Sequence, residues 1–150
     1  MVLEKGSIVT LDTNCLIYYF ENHPIYANPL EGLFTGIQNG EFQAILSVIS
    51  ILEILVKPKK DGNVFLQNRY KVLLFNFPNM DIHNVDPSVA DLGASLRAKY
   101  GIKTPDAIIV ATALLSGSDY LVSNDVELAN VCKAENIQPV CLGELGGGKK

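Results

Sequence analysis

Four acidic residues stand out by where the hydrophobic pattern puts them. Asp12 follows the apolar run SIVTL. Glu53 interrupts SVISILEILV, a stretch otherwise apolar or small. Asp106 opens TPDAIIVATALL, and Asp125 ends SND just after DYLV. An unpaired carboxylate in an apolar setting has its pKa raised by roughly 3–5 units, because burial disfavours the ionised form. Such acids are therefore rare unless water, a basic group or a bound cation compensates them. Each of the four also has a plain explanation. Asp12 can cap the helix that follows it. Asp106 and Asp125 can complement the dipole at a helix start, with Ser123 or Asn124 as the cap before Asp125. Glu53 can belong to a solvent-facing edge, since Ser47, Ser50 and Glu53 recur every three residues and form one polar seam. Convergence changes this balance. Two like charges 4 Å apart cost roughly 4 kcal/mol at an effective dielectric of 20. Four acids at one point call for a cation among them or for some of them to take up protons, and an all-oxygen donor set suits magnesium or manganese.

The elements that position these acids are readable from periodicity and punctuation. SIVTLD is a short buried strand ending at Asp12, and CLIYYFE is a helix broken by His23-Pro24. ANPLEGLFTGIQNG is a second helix ending near Gly40. FQAILS is a strand and VISILEILV a helix, ended by Pro58 and Asp61-Gly62. NVFLQNRYKVLLFNF is helical to Pro78, and MDIHNVD is a strand. Asp86 caps the next helix, SVADLGASLRAKY, with Pro87 first and Gly101 as its stop. TPDAIIVATALLSG repeats the pattern with Thr104 as cap, Pro105 next and Gly117 as stop. DYLVS is a strand, DVELANVCKAEN a helix and IQPVCL a last strand. Alternating strands and helices predict an α/β layer fold with a mainly parallel sheet. In such sheets ligands gather outside the carboxyl ends of the strands. Asp12 and Asp125 belong there. Glu53 and Asp106 join them if their helices begin at that edge.

A chain of 150 residues suits one domain with a sizeable core, and 48% apolar residues mark it as globular. A formal net charge of −4 argues against retention on nucleic acid by bulk charge, while allowing a local basic patch. Cys15, Cys132 and Cys141 are widely spaced, with no CxxC or Cys/His cluster. They fit core residues of a cytoplasmic protein better than a zinc site or a disulfide framework. No secretory signal opens the chain, and the longest apolar run is too short to span a bilayer, so no membrane association is expected. The final GGGKK, residues 146–150, reads as a flexible tail after a domain of residues 1–145.

LDTNCLIYYFE, SVISILEIL and LRAKYGIKTPDAIIVATALLSGSDYLVSNDVEL together closely resemble the PIN domain, and within it the VapC-like toxins of toxin–antitoxin pairs. The specific blocks are DTN at Asp12 to Asn14, TPDAIIVATAL around Asp106, and SND at Ser123 to Asp125. The Glu53 block is looser. The resemblance implies a three-layer α/β/α sandwich. It implies a metal-binding and catalytic quartet of Asp12, Glu53, Asp106 and Asp125, using Mg2+ or Mn2+ to hydrolyse RNA phosphodiesters. It also implies that Asn14 and Ser123 orient the acids or the attacking water; relatives usually carry Thr where this chain has Ser123. Arg97 falls where several relatives are basic, and its plainer reading is an exposed helix residue.

The implied partners are an RNA substrate, an antitoxin protein and a second copy of the chain in a homodimer. Lys57, Lys59 and Lys60, with Arg69 and Lys71 farther on, can steer phosphates or simply complement a helix C-terminus. Tyr18, Tyr19 and Phe20 can stack bases, face a partner or enter the core. His23 and His83 lie in no catalytic setting and fit surface or turn positions. The rival readings are a PIN nuclease of RNA processing or decay, a non-catalytic PIN scaffold, a haloacid-dehalogenase-like phosphotransferase and a receiver-like module. The phosphotransferase needs a second Asp where this chain has Asn14. The receiver needs an acid pair and a phosphoacceptor Asp with a Lys, a set this sequence lacks.

Overall fold

The computed structural model describes residues 3–145, so the tail assigned to residues 146–150 lies outside the described residues. Five strands, β1 (Ile8–Leu11), β2 (Gln43–Ser47), β3 (Met80–His83), β4 (Tyr120–Val122) and β5 (Gln138–Val140), form one sheet in the order β3-β2-β1-β4-β5. Every pairing is parallel, with Val9 opposite both Ala44 and Tyr120. β1, β2 and β4 are almost wholly buried, as the middle of a parallel sheet requires, while the edge strands β3 and β5 leave Asp81 and Gln138 exposed.

Eight helices accompany them among the described residues: α1 (Thr13–Phe20), α2 (Ala27–Gln38), α3 (Val48–Lys60), α4 (Val64–Phe75), α5 (Pro87–Tyr100), α6 (Thr104–Leu115), α7 (Val126–Ala134) and α8 (Leu142–Leu145). Alternate strand residues face opposite layers. Val9, Leu11, Ala44, Leu46, Tyr120 and Val122 join one core with α1 to α4. Leu121 joins a second core with Ile109, Val110, Leu128 and Val131 of α6 and α7. The sheet is thus covered on both sides, the three-layer arrangement that the sequence implies. No helix among the described residues is long and apolar enough to cross a membrane.

Four details differ from the sequence reading. Pro58 does not end α3 but lies buried inside its last turn, where a missing N–H forfeits a single helix bond. The cap of α6 is Lys103, not Thr104, and it makes no side-chain bond, so Asp106 is the third helical residue. The short helix α8 carries too few residues to show a periodic pattern. Cys15 and Cys132 are core residues, but Cys141 is exposed, because the chain has left the sheet there and turns into α8.

Candidate metal centre

The strand order reverses between β1 and β4: the chain builds outward from β1 through β2 to β3, then returns to the other side of β1 with β4 and β5. Crevices at the carboxyl end of such a switch point are where open parallel sheets bind ligands. Asp12 leaves β1 there, and Ser123 and Asp125 leave β4 beside it. The Asp12 N–H donates to Val122 O at 3.0 Å, extending the β1–β4 ladder to the first acid.

Hydrogen bonds fix two of the acids to each other. Ser123 Oγ donates to Asp12 Oδ2 at 2.6 Å and accepts from the Asp125 N–H at 3.0 Å. Asp12 Oδ1 accepts from the Thr13 N–H at 2.7 Å, so both oxygens of this buried carboxylate are held. Asp125 is itself the cap of α7, with Oδ1 accepting from Glu127 N–H at 2.9 Å and Leu128 N–H at 3.2 Å. The capping explanations for Asp12 and Asp125 therefore hold, alongside a shared location. Asn14 is half-buried in the first turn of α1, and its Oδ1 lies 3.7 Å from Cys15 Sγ.

The polar seam of α3 does not face water. Ser47 caps the helix, its Oγ accepting from Ile49 N–H at 3.2 Å. Ser50 is fully buried, and its Oγ lies 2.7 Å from Thr13 Oγ1. Thr13 Oγ1 donates to Glu53 Oε1 at 2.5 Å. Glu53 is half-buried, turned toward α1 by this contact.

Electrostatics joins Asp106 to the group. Its carboxyl is pushed up to about 6, first by burial and then by the charges of Asp12, Asp125, Glu53 and Glu127; no hydrogen bond opposes them. Burial also raises Asp12, helped by the charges of Glu53 and Asp125, while the bonds from Ser123 and Thr13 pull it back down. No lysine or arginine pairs with any of the four among the described residues. Nor do any three His, Cys, Asp or Glu side chains close on one point there. The four predicted acids form a neighbourhood of like charges without a counter-charge, and not a finished ion cage. The donor set fits a hard divalent cation in kind: all oxygen, acidic and uncompensated.

Two contributors escaped the sequence reading. Thr13 touches Asp12 through its N–H and Glu53 through its hydroxyl. Its place beside Asp12 in DTN was the available signal. Glu127 adds a fourth charge that Asp106 senses; its position as second residue of α7 gave no hint of this. Arg97 is exposed, as its plainer reading holds, yet its Nε donates to Ile102 O at 2.8 Å and ties down the loop before α6. His23 is a turn residue whose Nδ1 accepts from Ile25 N–H and Tyr26 N–H. Tyr18, Tyr19 and Phe20 are partly buried against the first core.

A family model for the PIN domain matches residues 9–134. No curated protein matches the chain. Among solved structures, a toxin–antitoxin complex from Klebsiella pneumoniae is 27% identical with a TM-score of 0.61, covering 78% of this chain and 86% of that one. VapBC2 from Rickettsia felis, bound to a DNA fragment from their promoter, is 18% identical with a TM-score of 0.68, covering 89% and 98%. FitAcB from Neisseria gonorrhoeae is 19% identical with a TM-score of 0.67, covering 90% and 98%. At their identities the last two establish likeness of fold.

Proposed function

Since this chain belongs to the PIN domain family, whose members are nucleases that generally depend on metal, we propose that it is a Mg2+- or Mn2+-dependent endoribonuclease and the toxin of a toxin–antitoxin pair. The observation that carries the reading is Asp106: a half-buried carboxyl pushed to about 6 beside four other acids and no base. That environment is unfavourable for folding alone and favourable for a cation.

Asp12, Glu53, Asp106 and Asp125 hold the metal in this reading. When bound, a divalent cation supplies a source of hydroxide near neutral pH and neutralises charge on the phosphoryl oxygens. The chain's own residues prepare the site. Ser123 and the Thr13 N–H fix Asp12. Both cap bonds to Asp125 use Oδ1, which leaves Oδ2 for a ligand. Asn14, in the first turn of α1, orients water or an acid. Lys57 lies one turn beyond Glu53 and lines a cleft of about 480 Å³ with it, Glu21 and Asp61, so its single positive charge sits among three acids. The toxin assignment and its antitoxin partner draw on the likeness to the Klebsiella pneumoniae toxin–antitoxin complex; the homodimer draws only on the resemblance to VapC-like toxins.

The test is cleavage of total RNA by the purified chain with Mg2+ or Mn2+, with chelator, and with Asp12→Asn. Cleavage by the parent, its loss with chelator and a drop of about a hundredfold or more in the variant are expected. Equal cleavage by parent and variant, or none by the parent with either metal, overturns the reading.

A further inference from the structure

We infer that Thr13 is a positioning residue for the metal centre, holding carboxylates from two separate elements in one register. The inference rests on Glu53 being a ligand, as proposed above. The hydrogen-bond directions are fixed by counting protons. A carboxylate only accepts, so the single hydroxyl proton of Thr13 goes to Glu53 Oε1. The 2.7 Å contact between Thr13 Oγ1 and Ser50 Oγ must then be donated by Ser50. The result is a directed relay, Ser50 to Thr13 to Glu53, that spends every proton it has. The Thr13 backbone N–H meanwhile donates to Asp12 Oδ1.

The location explains why threonine does this. Thr13 is the first residue of α1, so no preceding helical turn offers a carbonyl to its hydroxyl. Its branched Cβ limits the side chain to few rotamers. The residue is buried, so water does not compete for the bond. Glu53 has three side-chain torsions and sits on another helix; without a fixed donor it would lose its alignment with Asp12. Groups that orient metal-binding side chains typically cost about 10–100-fold in affinity when removed.

Calorimetric titration of Mn2+ alone into the metal-free full chain tests this, with thermal melting to check folding. Thr13→Val keeps the shape and the N–H but removes the hydroxyl, and is expected to weaken Mn2+ binding about tenfold or more. Thr13→Ser restores the hydroxyl and is expected to bind within about twofold of the parent, a rescue that a purely packing role for Thr13 would not give. Parent-like binding by Thr13→Val, while Glu53→Gln is impaired, overturns the inference and leaves Glu53 as a ligand. Parent-like binding by Glu53→Gln removes Glu53 from the site and takes the inference with it. If Thr13→Val does not fold, Thr13→Ala is judged by the same criterion.

Discussion

At the scale of single residues, Asp106 makes the sharpest statement about pH. Its folded pKa lies near 6 against an ordinary 3.8, so the folded chain binds this proton more tightly than the unfolded chain does. The contribution to stability is complete below about pH 4 and is lost as pH rises through about 6. Metal-free protein at pH 7 therefore carries a destabilising charge there. Asp106→Asn is expected to raise the metal-free Tm at pH 7. Discounting solvent screening, the gain is roughly 1 kcal/mol, or about 3 °C for a chain of this length. It is also expected to flatten the loss of stability between pH 4 and 6. Melting curves across that window check both, and a lower Tm for the variant at pH 7 would show that Asp106 serves the fold. Metal binding has the opposite pH trend, because a carboxylate must be deprotonated to bind a cation. Mn2+ affinity is expected to climb up to about pH 6 and level off above it.

At the scale of elements, the caps separate a fold role from a site role. Asp86 caps α5 through Val89 N–H at 2.9 Å, and Asp125 caps α7 through two N–H groups. Alanine at either position is expected to cost about 1 kcal/mol of stability. Only Asp125→Ala is expected to lose Mn2+ affinity as well, since Asp125, unlike Asp86, is among the charges that Asp106 senses. Paired measurements of chemical denaturation and Mn2+ titration check this. Parent-like Mn2+ affinity in Asp125→Ala would reduce Asp125 to a cap. The same scale explains Glu53. Its helix packs Ile51, Ile54 and Leu55 into one core and Ile49 against the other, while Leu52 and Val56 are exposed. Its polar seam meets the first turn of α1, where Ser50 and Thr13 make a polar patch for the carboxylate.

At the scale of the whole molecule, the sheet stores unfavourable charge at one edge, and a ligand that neutralises it stabilises the fold by mass action. Mn2+ at a hundred times its dissociation constant is expected to add about 2.7 kcal/mol, about 5–10 °C in Tm at this chain length. Chelator reverses it, and Asp12→Asn shows little of it. Differential scanning calorimetry with and without metal measures the shift, and an unchanged parent Tm at saturating metal would contradict a site built by the four acids.

Sequence alone determined the order of the elements from β1 to β5, because short β-branched runs, amphipathic stretches and Pro, Asp and Gly punctuation are local signals, and missed only the four-residue α8 after them. It marked Asp86-Pro87 and Gly101 correctly as the ends of α5. It also singled out four acids by their misfit with apolar surroundings. Local signals failed where a neighbour in space decides the outcome: Pro58 inside α3, the exposed Cys141, the polar seam of α3. Only the tertiary structure decided that β1 and β4 lie side by side, which brings Ser123 to Asp12 across 111 residues of sequence and joins Asp12 to Asp125 through it. It alone brought Thr13 within reach of Glu53, 40 residues away. The physical reason is that strand order and helix docking follow from burying both faces of the sheet at once, a sum over the whole chain that no short window contains.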